Sequence, residues 1–231
     1  MRPAALRIFK TAALIVLFAL PTLLCAQSTE LSGVWSSRLS DYSRLLGREL
    51  PLTPYGLERL RTVDQAKDPP AACLPAGPIR TMHSGMPFQF VQSSKEVVIL
   101  FEYQATFRII YTDGRSHPAD IKDYPEWQGH SVGHWEGDTL VVETVGINEL
   151  TKLDTVGHEH SIEMRMVERF QRTDADTIKW TVTIEDPVFF TEPWTVTTTM
   201  KRENTRIMSY SCEENEKDLI HMLPTIGPRA E

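Results

Sequence analysis

The sequence predicts an all-β protein, a single antiparallel β-barrel with one short N-terminal helix. Three observations lead there. Apolar residues recur at every second position through most of the chain, the alternating runs are short and bounded by turn residues, and a helical period occurs in one place. Nine or ten such strands must close or fold over to cover their edges, and a barrel is the economical way to do so.

Arg2, Arg7 and Lys10 precede or enter an apolar run from Thr11 to Leu24, and Leu24-Cys25-Ala26 ends it with a small residue at the cleavage position. Residues 1–26 therefore read as a secretory signal peptide. The run is shorter than the roughly 20 residues that cross a bilayer, so no stable membrane span is expected. A lipoprotein reading of Cys25 is disfavoured by the bulky Leu24 before it. Cleavage after Ala26 leaves 205 residues, a single domain over 27–231, in a periplasmic or secreted location. Without the three basic residues of the leader, 21 Lys and Arg face 31 Asp and Glu, a formal charge of −10. That balance repels nucleic acid and anionic lipid, which drop out as partners. Of the two remaining cysteines, Cys73 and Cys212, an oxidising compartment predicts one disulfide, ranked above a shared metal role.

A first strand, Gly33-Val34-Trp35-Ser36, opens the domain. The helix follows over 54–66: Thr53 caps it, Pro54 takes the first position, Leu57, Leu60 and Val63 keep helical spacing, and Asp68-Pro69-Pro70 stops it. The period then becomes two. Phe88 and Phe90 share one side of a strand, as do Val97, Ile99, Phe101 and Tyr103, and then Phe107, Ile109 and Tyr111. Asp113-Gly114 signals a tight turn, and Trp135-Glu136-Gly137-Asp138-Thr139 signals a hairpin within 129–144. His160, Ile162, Met164 and Met166 alternate next, then Ile178, Trp180, Val182 and Ile184, then Trp194, Val196 and Thr198. A last strand is expected at Ile207 and Ser209 against Met208, Tyr210 and Cys212, with a loose tail after about 223.

Gly33-Val34-Trp35 followed by a run of hairpins resembles the Gly-x-Trp opening strand of the lipocalin and wider calycin barrels. That resemblance implies a ligand-binding barrel. The segment from Arg108 to Thr144, with Asp186-Pro187 and Pro193-Trp194, is similar to a group of uncharacterised exported bacterial proteins carrying the Trp-Glu-Gly-Asp-Thr hairpin, and this likeness implies no particular activity.

Gly129-His130-Ser131-Val132-Gly133 fits a nucleophile elbow, but the strand before it and the helix after it are missing, so an esterase is disfavoured. His130 and His134 lie four apart, about 13 Å along a strand, too far to share one ion. His158 and His160 are the better metal pair, about 6 to 7 Å apart, although His158 beside Gly157 reads as a loop residue. A cupin-like site would need a Glu where Met164 and Arg165 stand. Walker, dinucleotide, His-Glu-x-x-His and Cys-x-x-Cys motifs do not occur, so no cofactor is expected and a bound metal is left as an alternative.

Polar residues on otherwise apolar faces point to the chemistry. His160 aligns with Met164 and Met166, and so does Glu168, while Asp186 extends the Trp180 face. Glu168 and Asp186 are read first as strand-end carboxylates, solvated or paired with a neighbour such as Arg169. Glu102 is placed either to pair with Arg108 across a hairpin or to orient an imidazole. The expected function is an exported acid-base enzyme, a cofactor-free lyase, isomerase or hydrolase acting on a small molecule in the barrel. His160 with His134 or His130 would move protons, Glu102 would orient them, and Arg108 would hold an anionic intermediate. Trp135, Trp180, Tyr111 and Trp194 would line the ligand site. The alternative is a lipocalin-like binding protein without catalysis. Five of the seven histidines fall between His117 and His160, which favours the enzyme.

Overall fold

A computed structural model of the chain describes residues 29–37 and 50–212. The expected signal peptide and loose tail lie outside them. Nine strands form one closed barrel: β1 (Gly33–Ser37), β2 (Phe88–Gln92), β3 (Glu96–Phe101), β4 (Phe107–Tyr111), β5 (His130–Glu136), β6 (Thr139–Val145), β7 (Arg165–Asp174), β8 (Thr177–Glu185) and β9 (Trp194–Arg202). Neighbours in sequence are neighbours in the sheet, and β9 returns to β1 to close it. Every seam is antiparallel except β4–β5, which runs parallel through Ile110↔Ser131 and Tyr111↔Val132.

The alternating residues of each strand meet inside, where Trp35, Phe88, Phe90, Ile99, Phe170 and Trp180 are buried. Their rings pack edge-on and tilted: Phe88 against Phe90, Phe90 against Phe170, and Phe170 against Trp180. The interior is thus occupied by side chains. At the β9–β1 closure the Arg202 guanidinium lies 4.5 Å over the Trp35 ring. Gly33, at φ 133°, leaves the space that Arg202 occupies, and any Cβ there would collide with the guanidinium. The β5–β6 hairpin turns at Gly137-Asp138 with Gly137 at φ 61°, as its glycine predicts.

The helix is shorter than the expected 54–66. α1 (Pro54–Arg61) is capped by Thr53, whose Oγ1 accepts the Gly56 N–H, and it gives way to a 3-10 turn at Gln65–Lys67. A second helix, α2 (Pro78–Met82), has no counterpart in the sequence reading. Phe107, Ile109 and Tyr111 do share one side of a strand, and two further expectations are corrected. On β4 the outer face carries Phe107, Ile109 and Tyr111, while Arg108 and Ile110 point inward, because β3 pairs Ile99 with Arg108 and Val97 with Ile110. Asp113-Gly114 does not close a hairpin but opens the crossover 112–129 that a parallel seam requires. Residues 203–211 form no strand, since β9 already pairs with β1 and β8.

That C-terminal stretch is tied down by side chains instead. Cys212 is bonded to Cys73, the Met208 N–H is accepted by Glu102, and Tyr210 packs against Tyr103. Cys73, Gln104 and Ala105 all hold positive φ at this junction, and the Gln104 amide bridges Ala76 N–H to the Leu74 carbonyl. Such backbone persists only where surrounding bonds over-determine it. The disulfide spans 139 residues, so replacing either cysteine with Ser should lower stability by about 3 to 5 kcal/mol. Thermal unfolding should show the loss under oxidising conditions alone; an equal difference in reductant would contradict the role assigned to the bond.

Candidate functional site

The structure separates the residues that the sequence grouped. Arg108 and Glu168 are both fully buried inside the barrel as an ion pair, with Arg108 Nη1 donating to Glu168 Oε1 at 3.0 Å and Nη2 to its other oxygen. Arg108 also donates to Ser131 and Thr144, and the Trp180 indole N–H donates to Glu168 Oε1 at 3.1 Å. Arg108 therefore pairs with Glu168 and not with Glu102, whose carboxylate accepts the Met208 N–H near the disulfide. Glu168 does not pair with Arg169, which reaches outward to Glu136. Ser131, the serine of the elbow motif, is buried in this same network.

His160 lies before β7, in the β6–β7 connection, and is almost wholly buried. Its Nδ1 donates to the Ser161 carbonyl at 3.1 Å, and its Nε2 lies 2.8 Å from Thr151 Oγ1, whose one proton is shared with the Asn148 carbonyl at 2.9 Å, an arrangement that suits a neutral ring. Burial holds its pKa below the ordinary imidazole value, in keeping with that state. His158 donates Nδ1–H to Asp154 at 2.5 Å, and Asp154 Oδ1 accepts three backbone N–H groups, from Val156, Gly157 and His158. The two imidazoles thus serve different partners, and the described residues contain no group of three or more His, Cys, Asp or Glu able to hold a metal. Asp186 is buried rather than solvated and accepts from Ser161 N–H and Oγ.

His134 faces solvent on the outer wall beside Glu136. Trp180 is core, Trp135 is half-buried against it, and Trp194 borders an outer cleft of about 550 Å³ with Leu50, Pro51, Leu52, Glu192, Pro193 and Thr195.

Two predicted residues do meet. His130 and Tyr111 lie on the outer faces of β5 and β4 across the parallel seam, their rings stacked at 5.3 Å. The crossover brings His117 to them, with its Nδ1 2.8 Å from His130 Nδ1. His117 Nε2 lies 3.4 Å from Glu143 on β6, a charge contact longer than an ordinary hydrogen bond, and Arg165 on β7 holds Glu143 through Nε at 2.6 Å. Arg115 covers the Tyr111 ring at 3.8 Å while paired to Asp113. Burial, more than any neighbouring charge, lowers the pKa of both imidazoles, and Glu143 partly offsets this at His117. The shift favours the neutral form of both rings.

Glu143, 3.4 Å from His117 Nε2 and not hydrogen-bonded to it, favours a proton on that nitrogen through its charge alone. With Nε2–H of His117 toward Glu143, its Nδ1 is bare and accepts Nδ1–H from His130, which leaves the lone pair of His130 on Nε2. That nitrogen has no hydrogen bond among the described residues. The result is a chain Glu143–His117–His130 ending in a base. His117 escaped the sequence reading as a site residue because only the crossover brings it to His130, and Glu143 because it takes part only through His117. No protein family model, no curated protein and no solved structure matches this chain.

Replacing Arg108 with Met should cost about 3 to 5 kcal/mol, because Glu168 is left buried without its cation, and adding Glu168→Leu should restore most of it. Urea titration of the single and double variants checks this, and an equal loss in both would contradict it. His83, buried beside Trp180, has its pKa lowered by burial to about 3. The unfolded state binds the proton first, so stability is complete above pH 6.5 and falls toward pH 3 by about 1.4 kcal/mol per unit. Flat stability between pH 7 and 4 would contradict that burial.

Proposed function

We propose that the protein is an exported β-barrel that carries out acid-base chemistry on a small molecule at the outer wall, with His130 as the proton-transfer group. The observation that carries this reading is the row from Glu143 through His117 to His130, whose Nε2 has no hydrogen bond among the described residues. A base oriented by a second group, itself held by a carboxylate, is the arrangement that general-base catalysis requires.

In this reading His130 Nε2 takes a proton from the bound molecule. The positive charge created is shared through His117 Nδ1 and offset by Glu143, whose position Arg165 fixes. Returning the proton elsewhere on the substrate gives an isomerisation, and expelling a leaving group gives an elimination. Tyr111 and Arg115 supply a flat platform beside the base. His117 and Glu143 are positioning residues. The barrel interior, filled by the Arg108–Glu168 pair and the aromatic rings, serves as scaffold, and no metal or cofactor is invoked.

Screening small organic acids and carbonyl compounds by NMR should find ligands that shift the His117, His130 and Tyr111 resonances together. Turnover of any substrate so found should fall about 10²- to 10⁴-fold in His130→Gln. His134→Gln should leave it unchanged. Ligands that map to the Leu50–Trp194 cleft, or turnover that survives His130→Gln, would overturn the assignment.

A further inference from the structure

We propose that the contact between His117 and His130 is a latch on the β4–β5 seam, closed when the pair carries at most one proton and released by the second. The seam is the parallel one, held by two residue pairs between short strand ends. Its neighbours are continuous antiparallel ladders: β5 pairs with β6 from His130 to Glu136. Inside the barrel, the Arg108–Ser131 hydrogen bond crosses the seam. Outside, the Tyr111–His130 stack and the His117–His130 contact cross it.

The far end of the crossover is anchored independently. Glu126 N–H donates to the Gly146 carbonyl, Asn148 N–H donates to the Glu126 carbonyl, Ile121 packs at Gly146, and Lys122 pairs with Glu163. Thr112 N–H donates to the Lys95 carbonyl, and the segment after it, 113–117, returns to the wall through His117, with Arg115 folded back on Asp113 and Tyr111.

The charge logic follows from the groups that face the pair: Tyr111 from β4, Arg115 from the crossover, Glu143 from β6 and Arg165 from β7. One added proton is accommodated. A cationic His117 presents Nε2–H to Glu143 and Nδ1–H to His130, so the contact tightens. A second proton places N–H groups on both Nδ1 atoms 2.8 Å apart, an arrangement without an acceptor and with two like charges. The rings must part, and the 113–117 arm leaves the wall with His117. Burial already disfavours charge on both rings, which puts the release on the acid side of neutrality. The pair titrates in two macroscopic steps, and the latch follows the lower one.

The latch shares the His117–His130 contact with the proposed proton chain, but it is read without substrate. Amide hydrogen exchange of the intact protein should show protection at 110–111 and 131–132 falling at least tenfold between pH 7.5 and pH 4.5. Protection of β7 and β8 should fall less over that range. His117→Gln and His130→Gln keep hydrogen-bonding groups that do not titrate, and in whichever of them folds the seam should lose its selective acid response. Parallel loss of protection at the seam and in β7–β8, or a selective response that persists in both variants, would overturn the latch. Loss of turnover in His130→Gln with an unchanged seam response would leave the proposed catalysis standing and remove the latch.

Discussion

The ion pair between Arg108 and Glu168 is the interaction on which the rest of this barrel depends. It joins β4 to β7 through the interior, across strands that are not neighbours, and so fixes which face of each points inward. Charges buried this deeply are tolerated only when every lone pair and N–H finds a partner. Ser131, Thr144 and the Trp180 indole meet that requirement here. This network and the aromatic rings occupy the interior, so the acid-base chemistry proposed above is assigned to the outer wall.

The same pair explains where the sequence was legible and where it was not. Strands such as Ile178–Ile184 read correctly because every inward residue is apolar and every outward one is polar. On β4 the rule inverts: the apolar Phe107, Ile109 and Tyr111 lie outside because an arginine is wanted within. Glu168 is sixty positions from its partner, so nothing local distinguishes it from a solvated strand-end carboxylate. The disulfide was legible for the opposite reason, since the two cysteines that follow the expected leader allow one pairing.

The site was legible in half. His130 and Tyr111 stood out by residue type, but the register that stacks them belongs to a parallel seam, and a crossover leaves no periodic signal in the chain. Asp113-Gly114 has the chemistry of a hairpin turn, and only tertiary structure shows the chain travelling on to 129 before pairing. His160 extended the Met164–Met166 alternation by chance. It sits in the connection before β7, satisfied on both nitrogens. His117 and Glu143 were ordinary polar residues until the fold brought them to His130.

The junction of Cys73 with the C-terminal stretch has a mechanical consequence. Tension arriving from beyond Cys212 passes through the disulfide into the 3-10 turn that ends at Cys73, and from there through Gln104 to the β3–β4 turn. It bypasses Arg202 and the β9–β1 ladder, so the closing strand of the barrel is not peeled residue by residue. Load is passed instead to the 3-10 turn before Cys73 and to the β3–β4 turn, away from the β9–β1 ladder, so a tether attached past Cys212 would not pull first on the closing strand.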